Sequence, residues 1–246
     1  MTVNDCEFSQ VGQVGYITLV QTERSNFYQE LPEICTRING EEGIWLVVVR
    51  IADGLTFGPA HYLRSSASDL PVLSPAAAIG EINRPTIAVL MGDTIGPALE
   101  VALACDMRIG VETASFGLPQ ITNGNIPVDG GTQRLARLVG KSKALELILT
   151  GELIGAAEAL ETGLINRMVK SENLQAEVES LAATLTAKAP LAMRYCKEAV
   201  NKGLDLTLEQ ALRLEADLYF LLHTTSDRTE GVQSFLQKRK PHYQGK

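Results

Sequence analysis

Apolar and polar positions fall into two rhythms along this chain. Residues 15–20, 44–51, 86–91 and 107–110 are short apolar runs of strand type, and 44–49 is apolar without a break, as in a strand buried on both faces. Between them, residues 27–40 and 96–105 read as helices. Alternating strand and helix signals predict an α/β domain. After Asp129 the pattern turns helical over 132–138, 141–149, 156–163, 174–189, 191–202, 207–222 and 227–238. Gly163 is placed to close its helix as a C-cap, and Pro190 separates two others. The expected organisation is a core over residues 1–190 and a helical region over 191–246, of the amphipathic kind that packs on another subunit.

Composition narrows the class. The 246 residues are 45 % apolar and 21 % charged, ordinary for a globular domain of this size. A net charge of −7 argues against nucleic acid as a partner, which calls for a basic face. No apolar run approaches the roughly 18 residues of a membrane span. The opening MTVNDCEFSQ lacks the basic-then-apolar order of a secretory leader, so the expected location is cytoplasmic, with no membrane partner. Cys6, Cys35, Cys105 and Cys196 form no CxxC pair, and His61, His223 and His242 are scattered. The chain therefore offers no metal-ligand spacing, and its thiols are expected to be reduced and mostly buried.

Four phrases carry a more specific signal: "ALACDMRIG" around Asp106, "GGTQRLARLVGK" after Asp129, "ILTGE" at 148–152 and "EGVQSFLQKRKP" near the end. Together they resemble the enoyl-CoA hydratase/isomerase, or crotonase, superfamily, over nearly the whole chain. The resemblance implies a crotonase-type spiral of ββα units with a C-terminal helical trimerisation region. It implies a homotrimer or dimer of trimers. It implies an acyl-CoA or acyl-carrier thioester as substrate, with coenzyme A entering only as part of that substrate and no separate cofactor. The family's shared chemistry is stabilisation of a thioester enolate by two backbone N–H groups, an oxyanion hole.

The catalytic positions depart from that pattern. A phrase like GGGxE supplies the family's first glutamate, and Glu100 keeps it in "IGPALE". A phrase like FGxPE supplies the second, but "FGLPQ" has Gln120 there. Glutamine hydrogen-bonds water yet cannot take or give a proton near neutral pH, so this pair cannot do two-carboxylate acid/base work. The two donor positions of the oxyanion hole fall on Pro59, in "FGPAH", and Pro97, neither of which has an N–H. Proline is structurally acceptable at both, in a loop and at the first turn of a helix. The N–H groups of Ala60 and Ala98, one residue along, are the replacement candidates.

Other residues carry two readings each. Asp129 sits close to a carboxylate of some crotonase isomerases, and is also placed to N-cap the helix that follows. Asp93 reads as a pocket residue or a solvated loop carboxylate, and Asp106 as a hydrogen-bonded turn anchor. His61 and Tyr62 follow the Pro59 loop as pocket candidates. Lys238, Arg239 and Lys240 match the basic end of the family's last helix, near the CoA phosphates, or simply complement a helix dipole. Arg24 lies in "QTERSNFYQEL", similar to the family's NRP-x-x-N segment without its proline. The expected function is non-hydratase enolate chemistry, such as double-bond isomerisation, with Glu100 as acid/base. The alternative is a catalytically impaired relative that serves as an acyl-thioester-binding or structural subunit.

Overall fold

The computed structural model describes residues 6–20, 27–55 and 74–246, with the backbone alone at 27–29. Nine strands lie in two sheets among the described residues. The larger sheet runs in the order β1 (Cys6–Val11), β2 (Val14–Leu19), β3 (Leu46–Ile51), β4 (Thr86–Leu90), β6 (Met107–Val111), β9 (Arg167–Val169). It is parallel from β2 onward, with β1 antiparallel at its edge. The smaller sheet joins β5 (Thr94–Ile95), β7 (Ser115–Gly117) and β8 (Ile154–Gly155).

Successive units climb this frame. β4 enters the large sheet, β5 the small one, and the helix Pro97–Leu103 follows; β6 and β7 repeat the move, followed by the helices Gly131–Val139 and Lys141–Thr150. This is the spiral of ββα units. The helices Pro190–Gly203, Leu208–Leu222 and Ser226–Leu236 complete the chain.

The unbroken apolar run of β3 has its explanation in the packing. Val47, Val49 and Ile51 face the main core with Leu99 and Phe116. Leu46 and Val48 face the opposite side, where Val178 and Leu181 of the helix Leu174–Thr186 cover them. Alternate residues point to opposite faces of a strand, so both faces demand apolar side chains.

Polar ties fix the helix Pro97–Leu103, which carries Glu100. Arg108 is buried, and burial lowers its pKa from the usual guanidinium value. Its Nη1 donates at 2.7 Å to Cys105 O, just past the C-terminal end of that helix, and its Nε donates to Leu164 O at 2.6 Å. A cation there complements the helix dipole. Asp106 is a turn anchor: its Oδ2 accepts from Thr86 N at 2.7 Å, from Thr86 Oγ1 at 2.9 Å, and pairs with Lys197 Nζ at 2.8 Å. Lys197 also donates to Arg84 O at 2.9 Å, so the helix Pro190–Gly203 is tied to the sheet at this point.

Cys6, Cys35 and Cys105 are buried, while Cys196 is exposed on the helix Pro190–Gly203. No helix among the described residues is long and apolar enough to cross a membrane, and none of their His, Cys, Asp and Glu side chains group as a metal site.

Candidate active site

The helix Pro97–Leu103 begins where the smaller sheet ends. Gly96 is its N-cap at φ 60°, a left-handed value that glycine adopts without strain. The Gly96 N–H is used in the sheet, donating to Gly117 O at 2.8 Å. Pro97 takes the first helical position, with no N–H to offer. Ala98 is therefore the first residue of this helix with an amide hydrogen, and an N–H at that position has no acceptor within the helix.

Glu100 sits in the first turn, fully buried. Among the described residues, Asp129, Gly131 and Gln120 donate to its carboxylate. Oε1 accepts from Asp129 N at 2.7 Å and Gly131 N at 2.9 Å. Oε2 accepts from Gln120 Nε2 at 3.3 Å. Charged-group hydrogen bonds of this kind fix orientation as well as charge. Gly131 is required by space: a Cβ there would lie 2.8 Å from Pro127 Cβ, 2.9 Å from Leu118 Cδ1 and 3.0 Å from Glu100 Oε1.

Gln120 is buried on the 3₁₀ turn Pro119–Asn123. Its amide lies over the Gly96 turn, where an added Cβ would meet Nε2 at 3.8 Å. Its Oε1 is buried and has no hydrogen-bond partner among the described residues. Glu100 and Gln120 are thus brought side by side as one carboxylate and one neutral amide.

Asp129 departs from the N-cap expectation. It does not cap the helix that follows; Gly130, at φ 91°, is that cap and makes no side-chain bond. The Asp129 carboxylate turns instead to the helix Pro75–Gly80. Its Oδ2 accepts from Ala76 N at 2.8 Å, and its Oδ1 accepts from the Ser74 hydroxyl. Both oxygens are engaged at the start of that helix, while the backbone N–H of Asp129 reaches the Glu100 carboxylate. Ser74 was not among the sequence candidates, since its link to Asp129 spans 55 positions.

Asp93 is exposed, and its Oδ1 accepts from Ser115 N, 22 positions on, at 2.7 Å. Lys238 and Lys240 are exposed beyond the helix Ser226–Leu236. Arg239 is occupied by Glu230, with its Nη2 2.7 Å from Oε2. Arg24, Pro59, Ala60, His61 and Tyr62 lie outside the described residues.

The sequence profile of the enoyl-CoA hydratase/isomerase family matches residues 58–246. The chain belongs to this family. It is 40 % identical over 165 residues to the crotonyl-CoA hydratase of Syntrophomonas wolfei, covering 67 % of this chain and 64 % of that one. It is 44 % identical over 170 residues to the Bacillus subtilis relative YngF, which carries the enoyl-CoA hydratase/isomerase label, covering 69 % and 65 %. The chain thus spans just under two thirds of the length of these two relatives. Across the fold, it superposes on an enoyl-CoA hydratase of Bacillus anthracis with a TM-score of 0.86 and 31 % identity, covering 99 % of this chain and 100 % of that one.

Proposed function

We propose that this member of the enoyl-CoA hydratase/isomerase family acts on an acyl-CoA or acyl-carrier thioester by non-hydratase enolate chemistry, with Glu100 as the single acid/base. The observation that carries this reading is Gln120 Nε2 at 3.3 Å from Glu100 Oε2. A neutral amide at that place orients the carboxylate but does not exchange a proton with substrate. Moving one proton, as in double-bond isomerisation, needs one such carboxylate, whereas hydration in the two-glutamate manner needs two. Ala98 N–H is the proposed thioester-oxygen donor in the Pro97 turn, with Ala60 as its counterpart. Lys238 and Lys240 are the proposed contacts to the CoA phosphates.

A second reading, an acyl-thioester-binding subunit without turnover, is favoured by Pro97 alone among the described residues: it removes a donor at the start of the helix that carries Glu100. One pair of assays separates the readings. Under the first, the protein exchanges the α-proton of an acyl-CoA with deuterium from solvent and hydrates crotonyl-CoA poorly. Binding without exchange selects the second. Rapid hydration at ordinary enzyme rates overturns both.

The proposed assembly is a homotrimer or a dimer of trimers. Leu204, Leu208, Phe220 and Phe235 are 68–82 % exposed on and between the C-terminal helices, apolar surface of the kind that marks an interface. Light scattering on the purified protein reads the stoichiometry directly.

A further inference from the structure

We propose that Ser74 and Asp129 form a clasp that positions Glu100 for turnover without touching substrate. The inference rests on the reading of Glu100 as the acid/base.

Asp129 is 5 % exposed, and its polar groups serve three separate elements. Its carboxylate receives the Ser74 hydroxyl on Oδ1 and Ala76 N, at 2.8 Å, on Oδ2. Ser74 is itself the N-cap of the helix Pro75–Gly80, its Oγ accepting from Ala77 N at 3.4 Å. The Asp129 carbonyl accepts from Arg134 Nη1 at 2.8 Å. The Asp129 N–H donates to Glu100 Oε1 at 2.7 Å, and the next donor to that oxygen, Gly131 N, is two residues on. The backbone pair that cradles Glu100 is therefore anchored by its neighbouring side chain to the start of a helix on the far side.

A buried carboxylate is expensive unless it is fully hydrogen-bonded, and an apolar side chain often stabilises as well. What the carboxylate adds here is a fixed distance between the start of the helix Pro75–Gly80 and the N–H groups at 129 and 131. Misplacement of a reacting group by about 1 Å can cost on the order of 10²-fold in rate, so slack in that distance is expressed in turnover. Ser74 supplies one donor and Ala76 N another, so removing the Ser74 hydroxyl loosens the clasp without leaving the carboxylate bare.

The test compares wild type with Ser74→Ala, Ser74→Thr and Asp129→Asn at a temperature where circular dichroism shows all to be folded. In the α-proton exchange of an acyl-CoA, Ser74→Ala should lower kcat about five- to ten-fold, part of the worth of one hydrogen bond to a charged group, with KM within about two-fold. Ser74→Thr, which keeps the hydroxyl, should restore kcat, and Asp129→Asn should lie below Ser74→Ala. A Ser74→Ala protein with wild-type kcat and only a lower melting temperature overturns the clasp and leaves a structural peg. If wild type itself exchanges no α-proton, it is the acid/base reading that fails. The clasp is then judged by amide hydrogen exchange at Asp129 and Gly131. Faster exchange in Ser74→Ala than in wild type supports it, and unchanged exchange at both amides overturns it.

Discussion

Gln120 Nε2 donates to Glu100 Oε2 at 3.3 Å, so the two residues that the family pattern sets twenty positions apart meet as a carboxylate and an amide. Replacing Gln120 with glutamate restores a second carboxylate at that distance. Two carboxylates so close share a proton, which is the state a two-glutamate site needs. Gln120→Glu should therefore raise hydration of crotonyl-CoA, by a factor within the roughly 10²–10⁴ that general acid–base groups contribute. The loss of conjugated-thioester absorbance measures it. Glu100→Gln should remove α-proton exchange by a similar factor, while leaving thioester binding in place.

Gly131→Ala tests the cradle from the other side. The position is not in left-handed backbone, so the obstacle is space: the new methyl would press on Pro127, Leu118 and Glu100 Oε1 together. Overpacking of this kind costs about 1–3 kcal/mol. Denaturant unfolding should show that loss. At temperatures where the variant is folded, α-proton exchange should fall further than stability alone explains, because Glu100 itself must move.

What the pattern of residues discloses, and what it hides, follows from length and distance. β2, β3, β4 and β6 announce themselves through apolar runs, because the large sheet buries them. β5, β7 and β8, of two or three residues, are too short to show a period, so the whole small sheet is silent although it sets the turn at Gly96. β1 is silent because it is an edge strand whose residues beyond Cys6 are largely solvent-facing. At the site, Glu100 and Gln120 are legible from their phrases. Asp129 is legible as a polar residue before a helix, but not in its direction: Gly130 at φ 91° turns the chain, and the carboxylate meets a helix start 53 positions earlier. Nothing local at Ser74 foretells that meeting.

The cysteines separate by chemistry as well as by position. Burial pushes the thiols of Cys35 and Cys105 up to about 12, and their mutual proximity adds to the rise for Cys35. The thiolate is the reactive form, so the native protein at pH 8 should be alkylated at exposed Cys196, with Cys35 and Cys105 labelled only on unfolding. Peptide mass spectrometry after a short pulse of iodoacetamide reads this. The same shift predicts alkaline sensitivity. Above about pH 9 the unfolded chain loses these protons while the folded one keeps them, so stability falls as pH rises from about 9 toward 12. A melting temperature that is flat across that range would contradict the burial of these groups.

Asp106 and Lys197 join the sheet to the C-terminal helices, and the two partners differ in what their loss leaves behind. Lys197→Met removes the countercharge at 2.8 Å and the donor to Arg84 O, but Asp106 keeps both bonds from Thr86. Asp106→Asn weakens the acceptor for Thr86 and leaves the ammonium of Lys197, whose side chain is only 10 % exposed, without a full countercharge. Stranding a nearly buried cation is the larger fault, so Asp106→Asn should destabilise more than Lys197→Met, each by an amount on the order of 1–3 kcal/mol. The double variant should cost less than the sum of the two, with a coupling of about 0.5–3 kcal/mol in a denaturant cycle. Strict additivity would mean that the pair contributes nothing to docking the helix Pro190–Gly203, and that apolar contacts alone hold it against the sheet.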